Sequence, residues 1–286
     1  LSRFFGVRPP MTALSIFLIS LIQGITEFLP ISSSGHLILI PALTDLADQG
    51  QTADVAAHFG TLAAVVLYLH RDIAKMTSSI LPVTKTDKAS LRLIGLLILS
   101  SLPVFLVGLI IEVLSPTVLR LAMTVALANI FFAGWLYWAD RQPVRHILYR
   151  NGAEYDWSNL TARQAIFIGV AQVAALIPGA SRSGVTMTMA RQLGLDRLSA
   201  ARFSLLLSVP VIGGAVVLKT INMFTAEAQP DMPALAAITG LSFICALGAI
   251  RWMMGWLATA NFTIFVLYRL ALGTLLLSLI MAGIIS

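Results

Sequence analysis

Two short polar runs interrupt long apolar stretches of this chain, and they constrain its fold more than any other feature. The first reads Pro-Ile-Ser-Ser-Ser-Gly-His at residues 30–36, and the second reads Pro-Gly-Ala-Ser-Arg-Ser-Gly at residues 178–184. Polar loops inside apolar segments are tolerated at membrane depth where they line a cavity of the protein. A spacing of 149 positions relates the two regions, which indicates a duplicated unit whose halves form one site. The residues repeated at this spacing are Gln23 and Gln172, Ser32 and Ser181, Ser34 and Ser183, and Gly35 and Gly184.

The composition predicts that this site lies in a lipid bilayer. Hydrophobic residues make up 58% of the 286 positions and charged residues only 11%, whereas a soluble domain is about 25% charged. The chain is therefore expected to be an integral membrane protein. Its single cysteine, Cys245, excludes an intramolecular disulfide and makes redox chemistry unexpected.

The apolar stretches predict an all-α membrane protein with six transmembrane helices and two re-entrant helix pairs. A span needs about 20 residues. Two further stretches, 11–43 and 162–195, are longer than one crossing needs and too short for two, and each contains proline and a serine- and glycine-rich tip. A re-entrant pair of half-helices fits them better than a span. The six predicted spans are 54–70, 93–113, 118–138, 200–218, 234–256 and 264–285.

The distribution of positive charge predicts the orientation. Most basic residues fall in segments 71–92, 139–163 and 191–202, with Arg251 and Arg269 expected at span ends on the same side, which should be cytoplasmic. Three crossings per half force the second half to insert upside down relative to the first. The chain is thus predicted to be a single membrane domain, 1–286, with inverted repeats 11–138 and 162–286 and both termini outside. The net charge of +6 needs no nucleic-acid partner, because the positive-inside bias and anionic lipid headgroups explain it.

The broken helices predict an anion site. The second half-helix of each pair begins just after the polar run, so its free backbone N–H groups and positive dipole end point toward mid-membrane. Both runs supply serines at the N-cap positions. Two such helix ends joined by Arg182 form a pocket for an anion with several oxygens, and a phosphate or diphosphate suits it best. For Ser34, Gly35 and Gly184, capping and close packing are an equal alternative.

Four side chains near the two runs are candidates for chemistry. Arg182 lies deep in an apolar stretch, where inserting an arginine costs about 2.5 to 3.5 kcal/mol, which favours a functional role. Glu27 follows Gln23 by four positions, so both project from one helix face; the structural alternative is an ion pair between Glu27 and Arg182. His36 follows Ser33 by one helical turn, so hydroxyl and imidazole can approach each other or a shared ligand. Three further histidines have no such company: His70 and His146 are expected at the interface, and the role of His58 stays open.

These residues closely resemble the undecaprenyl-diphosphate phosphatase family of the bacitracin-resistance type. The resemblance combines a Glu/Gln-x-x-x-Glu pattern at Gln23 and Glu27, a serine-rich loop ending in His36, and the Pro-Gly-x-Ser-Arg-Ser-x-x-Thr pattern from Pro178 to Thr186. The motifs occur in order on a chain of family length with the same hydrophobic layout throughout. Gln23 stands where many members have glutamate, so an indispensable acid is not expected at this position.

The resemblance implies removal of the terminal phosphate of undecaprenyl diphosphate at the outer face of the bacterial inner membrane, which recycles the lipid carrier for cell-wall synthesis. Arg182 and the helix N-termini would hold the diphosphate. Ser33 is the preferred nucleophile, with His36 as base and Glu27 orienting it or holding a divalent cation, Mg²⁺ or Ca²⁺. Attack by His36 or by water fits almost as well. The predicted substrate-binding residues are Gln23, Ser32, Ser34, Gly35, Ser181, Ser183, Gly184 and Thr186.

The main rival function is a transporter or flippase for a polyprenyl phosphate. Inverted repeats with broken helices at the midplane are typical of transporters. A serine, histidine, glutamate and arginine within two short loops are more reactive groups than binding alone requires, which favours an enzyme. An anion channel, which would need neither His36 nor Glu27, is the least favoured alternative. The predicted partners are the polyprenyl diphosphate substrate and membrane lipids, and a homodimer is compatible with the sequence.

Overall fold

A computed structural model describes residues 11–37, 50–80, 87–114, 121–146, 148–150, 154–155, 157–224 and 231–285. Within these ranges the chain is almost entirely helical, which confirms the all-α class. The exception is a short antiparallel pair, β1 (Tyr149–Arg150) with β2 (Glu154–Tyr155).

The described helices of the two halves follow one another in a similar order. In the first half they are α1 (Ala13–Thr26), α2 (Ser33–Leu37), α3 (Gly50–Tyr68), α4 (His70–Ile80), α5 (Lys88–Leu114) and α6 (Ala122–Asp140). In the second half they are α7 (Ala162–Gln172), α8 (Arg182–Gln192), α9 (Arg197–Phe224), α10 (Met232–Thr259) and α11 (Thr263–Met281). Two 3₁₀ turns flank α7, at Trp157–Asn159 and Val173–Leu176.

Five of the six predicted spans are present as helices long and apolar enough to cross a membrane. They are α5, α6, α9, α10 and α11. The sixth, predicted at 54–70, corresponds to α3, which meets α4 at a bend of 80°, so that this pair passes as a span only when the two helices are taken together.

Both predicted re-entrant stretches contain a break at the polar run. In the first, α1 ends at Thr26 and α2 begins at Ser33, and the rest of the predicted stretch, 38–43, lies outside the described residues. In the second, α7 and its 3₁₀ extension end at Leu176 and α8 begins at Arg182. The first break contains Pro30, and the second contains Pro178 and Gly179. Proline and glycine interrupt regular helical hydrogen bonding.

Helices from the two halves pack closely where a glycine removes the side chain. α1 lies against α10 at Gly24, where a Cβ would come within 2.5 Å of the Cys245 Cβ. α7 lies against α5 at Gly169, where a Cβ would come within 2.5 Å of the Ser100 carbonyl oxygen. Small residues at such crossings let helix backbones approach in a membrane, where lipid offers no hydrophobic driving force. Each short helix before a polar run therefore packs against a long helix of the other half.

A buried ion-pair network ties together the ends of several helices. Asp140, the last residue of α6, accepts hydrogen bonds from Arg197 Nε at 2.7 Å and Arg191 Nε at 3.3 Å. The Phe262 backbone N–H, just before α11, also donates to this carboxylate, at 3.1 Å. Asp140 is 8% exposed and Arg191 1%. One carboxylate thus fixes α6, α8, α9 and the start of α11 relative to one another.

Candidate functional site

The two polar runs meet in space. The Ser183 hydroxyl, in the first turn of α8, donates to the Leu29 carbonyl oxygen at 2.7 Å. Next to Ser183, Arg182 Nη2 donates to Oε1 of Glu27, which lies two residues before Leu29, at 3.2 Å. The side chains of Glu27 and Arg182 are 9% and 12% exposed. The ion pair considered from the sequence is thus formed, across 155 positions of chain.

The same local hydrogen bond occurs in both runs. The Ser32 hydroxyl accepts the Gly35 N–H at 3.3 Å, and the Ser181 hydroxyl accepts the Gly184 N–H at 3.2 Å. Ser181 is the N-cap of α8 and adopts φ +68°, a left-handed conformation that is uncommon for residues other than glycine. Ser32 and Ser181 act as helix caps, in agreement with the prediction that both runs supply serines at N-cap positions.

Arg182 is held at the site by contacts on both of its terminal nitrogens. Nη1 donates to the Ser204 carbonyl oxygen on α9 at 3.3 Å, while Nη2 donates to Glu27 Oε1. Its guanidinium carbon lies 5.8 Å from the centre of the Phe28 ring. Within the described residues, Arg182 Nε is buried with no hydrogen-bond partner. A buried donor of this kind is costly unless a ligand accepts from it.

Gln23 and His58 complete the surroundings of Glu27. Gln23 Nε2 donates to Glu27 Oε2 at 2.7 Å and lies 3.1 Å from His58 Nε2. His58 Nε2 is itself 3.7 Å from Glu27 Oε2. His58 lies on α3, 31 positions beyond Glu27 in the chain, and sequence reasoning had no signal that would bring it here.

His36 contacts Tyr268 of α11. Its Nδ1 lies 2.6 Å from the Ser32 carbonyl oxygen, and its Nε2 lies 2.5 Å from the Tyr268 hydroxyl. A carbonyl can only accept, so Nδ1 carries the proton and Nε2 accepts from tyrosine. The two rings stack with centroids 5.5 Å apart. The Ser33 hydroxyl makes no hydrogen bond with His36 or with any other described residue. The two side chains therefore do not contact each other directly, which was one of the two arrangements that the sequence allowed.

Contrary to the expectation from the sequence, Arg269 does not lie at the end of its helix but is the seventh residue of α11, and the side of the membrane that it faces stays a prediction. Arg269 is 0% exposed and donates through Nη2 to the carbonyl oxygens of Gly179 and Ala180, both at 2.9 Å. Its guanidinium supports the turn that precedes α8. Its position within an apolar stretch was a visible signal, but charge counting assigned it to the membrane edge.

Helix α6 supports both polar runs from behind. Gly179 has φ +95°, and a Cβ there would come within 2.9 Å of the Val125 Cα. One turn along α6, the Asn129 side chain lies 3.0 Å from where a Cβ at Gly35 would be. Both glycines are therefore required for close approach to α6, in line with the packing alternative for Gly35.

The other predicted substrate-binding residues have mixed surroundings. Thr186 Oγ1 is 2.7 Å from the Ser204 hydroxyl and 2.9 Å from the Arg182 carbonyl oxygen, and the residue is 1% exposed. Ser183 is equally buried, and its hydroxyl donates to Leu29. The side chain of Ser34 lies outside the described part of the structure.

An apolar groove of about 630 Å³ opens beside His36. Ile22, Ile25 and Leu29 line one side, and Trp252 and Tyr268 line the other. Its walls come from α1, the first polar run, α10 and α11. Its apolar lining is of the kind that suits a hydrocarbon ligand.

The described residues contain no group of three His, Cys, Asp or Glu side chains that could hold a metal ion. The carboxylate of Glu27 accepts an N–H on each oxygen, from Arg182 and Gln23. A hard cation at this site would therefore take most of its ligands from elsewhere.

The chain matches the family model of bacitracin resistance protein BacA over residues 16–275. An undecaprenyl-diphosphatase of Jannaschia sp. is 43% identical over 276 residues, which cover 93% of this chain and 98% of that protein. Undecaprenyl-diphosphatases of Alteromonas mediterranea and Ruegeria pomeroyi are 40% and 42% identical, covering 95% and 94% of this chain and 100% and 99% of theirs.

Proposed function

The chain belongs to the bacitracin resistance protein BacA family, and we propose that it is an enzyme that hydrolyses undecaprenyl diphosphate to undecaprenyl phosphate and phosphate. The identity of about 40% to undecaprenyl-diphosphatases over nearly the whole length supports this reaction. The single structural observation that carries it is the junction of the two polar runs, where Glu27 and Arg182 pair beside an apolar groove.

Arg182 binds the diphosphate. Phosphate oxygens accept from its unpartnered Nε and compete with Glu27 for Nη2. Phosphoryl transfer depends mainly on positioning and on stabilising negative charge, and a guanidinium offers several donors in a fixed plane for both tasks. The N-terminus of α8 adds its dipole from the same side.

Ser33 is the proposed nucleophile. Its oxygen bonds to the terminal phosphorus while the bond to the bridging oxygen breaks, and undecaprenyl phosphate leaves. The hydroxyl proton passes to His36 Nε2, since Nδ1 already carries a proton held by the Ser32 carbonyl. Nε2 exchanges its hydrogen bond with Tyr268 for one with Ser33 to do this. Water then attacks the phosphoserine, and phosphate and free serine result.

Attack by His36 or by water remains an alternative route to the same products. The lone pair of His36 Nε2 is suited to either a base or a nucleophile, because Nδ1 fixes the tautomer. In all three routes Glu27 keeps Arg182 in place.

A divalent cation, Mg²⁺ or Ca²⁺, is proposed to assist. It would neutralise charge on the diphosphate, and Glu27 is the residue of this site that would hold it. Because Glu27 is the one carboxylate found at the site in the described structure, phosphate oxygens and water would supply the other ligands of the cation.

The prenyl chain is proposed to lie in the apolar groove beside His36. With its hydrocarbon tail between α1, α10 and α11, the substrate presents its diphosphate to the two polar runs without leaving the lipid phase. The proposed setting is that implied by the family resemblance, a multi-pass protein of the bacterial inner membrane that acts on a lipid of the outer leaflet.

The inverted repeat remains a proposal, with units 11–138 and 162–286 and both termini outside. Packing supports it, because α1 packs on α10 and α7 packs on α5, and an offset of 149 positions interchanges these two pairs. The two re-entrant pairs belong to the same proposal. A homodimer stays a prediction.

The relatives are named as hydrolases, and nothing in the described residues favours a transporter. Purified protein in detergent, given undecaprenyl diphosphate, should release phosphate, and the Arg182→Ala variant should not. A wild-type protein that moves the lipid across a vesicle membrane without releasing phosphate would support the transporter instead.

A further inference from the structure

Gln23, Glu27 and His58 form a short hydrogen-bonded chain with one consistent assignment of protons. His58 Nδ1 lies 2.7 Å from the Asp54 carbonyl oxygen, which can only accept, so Nδ1 carries the proton. Nε2 then has a lone pair that faces the Gln23 amide at 3.1 Å. The amide has two N–H groups, and the second donates to Glu27 Oε2 at 2.7 Å. The Gln23 NH₂ group therefore bridges an imidazole and a carboxylate.

This bridge fixes the position of Glu27 from the side opposite Arg182. Oε1 accepts from Arg182 Nη2 and Oε2 accepts from Gln23 Nε2, so both carboxylate oxygens are held. Gln23 is 2% exposed, and an amide N–H left without a partner at such a buried site is destabilising. The His58 lone pair accepts from the other N–H of the Gln23 amide, the one that does not donate to Glu27. It also selects the amide orientation in which nitrogen, and not oxygen, faces Glu27.

We propose that His58 is a positioning residue for the phosphatase reaction, because it orients the Gln23 amide that holds Glu27 opposite Arg182. This inference rests on the proposed function. His58 acts through Gln23, and its side chain is 32% exposed.

The same geometry explains what a glutamine at position 23 does. A glutamate there would bring two carboxylates and an imidazole to one point, because Glu27 Oε2 and His58 Nε2 are 3.7 Å apart. Such a donor set binds Mn²⁺ or a similar divalent cation. In this chain the Gln23 NH₂ group occupies that point, so the protein without substrate should bind such a cation weakly.

The first test compares kcat, KM and thermal unfolding of three variants in detergent. His58→Leu removes the acceptor and should lower kcat about 10- to 100-fold, as losses of supporting hydrogen bonds at active sites do. His58→Gln keeps an acceptor oxygen and should stay close to wild type. His70→Leu, a change at an exposed histidine on α4, is the matched control and should leave kcat unchanged. Equal losses in the leucine and glutamine variants of His58, or no loss in either, would contradict the proposal.

A double-mutant cycle tests whether His58 acts through Gln23. In a Gln23→Leu background, His58→Leu should lower kcat little further, because the bridge is already lost. Full additivity would show that His58 acts independently and would overturn the proposal.

The third measurement does not depend on turnover. Titration of Mn²⁺ in the absence of lipid, followed by electron paramagnetic resonance, should show binding by Gln23→Glu, none of comparable strength by wild type, and a loss on adding His58→Leu. Failure of wild type to release phosphate would overturn the proposed function, whereas this titration would still test the geometry. Mn²⁺ binding by Gln23→Glu that is unchanged on adding His58→Leu would contradict the proposed geometry.

Discussion

The guanidinium of Arg269 occupies the space that a side chain at Gly184 would need. Nη1 lies 2.7 Å from the position of a Cβ at residue 184, a contact so short that real Cβ atoms essentially never show it. Gly184 is thus coupled to Arg269, and through it to the turn at Gly179 and Ala180. A methyl group at residue 184 would push the guanidinium away from both carbonyl oxygens.

Gly184→Ala should therefore disturb the turn before α8 and lower both activity and the melting temperature. Gly134→Ala is the control, since a Cβ on that face of α6 meets nothing within 4 Å and alanine favours a helix over glycine by about 1 kcal/mol. Phosphate release and thermal unfolding are measured on both. A Gly184→Ala protein with normal turnover would show that Arg269 can move without consequence.

Ser33→Ala should reduce turnover by orders of magnitude with little change in substrate binding, because the loss falls on the reaction step. Ser32→Ala should be milder, with a stability loss of about 1 kcal/mol from the missing helix cap, since Ser32 caps Gly35. Single-turnover phosphate release separates the two. If Ser33→Ala keeps near-normal turnover while His36→Ala is inactive, the attacking group is His36 or water.

Arg182→Lys should insert and purify normally yet lose most phosphatase activity. Lysine preserves the charge opposite Glu27, but its three donors share one nitrogen and cannot reach the Ser204 carbonyl, Glu27 and phosphate oxygens from separate positions as the planar guanidinium can. Arg182→Ala should be inactive and less stable. The measurement is phosphate release at saturating substrate beside an unfolding curve. Near-wild-type turnover of the lysine variant would mean that Arg182 serves the fold alone.

Asp140→Asn should destabilise the protein by about 3 to 5 kcal/mol, as does removal of one partner from a buried ion pair. Arg191, 1% exposed, would lose its carboxylate. Turnover per folded molecule should equal that of wild type, because Asp140 supports helix ends and lies outside the candidate site. Asp87→Asn, at an exposed helix start, should change stability far less. Equal melting temperatures for the two variants would contradict this role.

The proposed orientation can be tested with single cysteines in a Cys245→Ala background. Met232→Cys, at the start of α10, should react with a membrane-impermeant thiol reagent in intact cells, whereas Lys88→Cys and Val144→Cys should be protected. Met232 is 64% exposed and Val144 49%, so accessibility within the fold does not limit either reaction. Labelling of the two protected positions would reverse the orientation.

The sequence predicted most of the helices because hydrophobicity alone determines them. It also offered the Glu27–Arg182 ion pair as the structural alternative to a functional role, since each charge is costly in an apolar segment without a partner. It did not predict the contacts made by His58 or Tyr268. Periodicity tells which residues share a helix face, but not which neighbouring helix that face meets. Arg269 was misassigned for a related reason, because charge counting treats every arginine as a surface residue.

The distance in sequence between Glu27 and Arg182 has a consequence for biosynthesis. A ribosome adds about 5 to 20 residues per second, so the 155 positions that separate them correspond to roughly 8 to 30 seconds of translation. Throughout that interval Glu27 is a carboxylate whose counter-ion has not been made. The first half of the nascent chain must wait in a protonated, hydrated or chaperoned state until the second half arrives. Membrane insertion of the first half and formation of the Glu27–Arg182 pair are thus separate events in the synthesis of this protein.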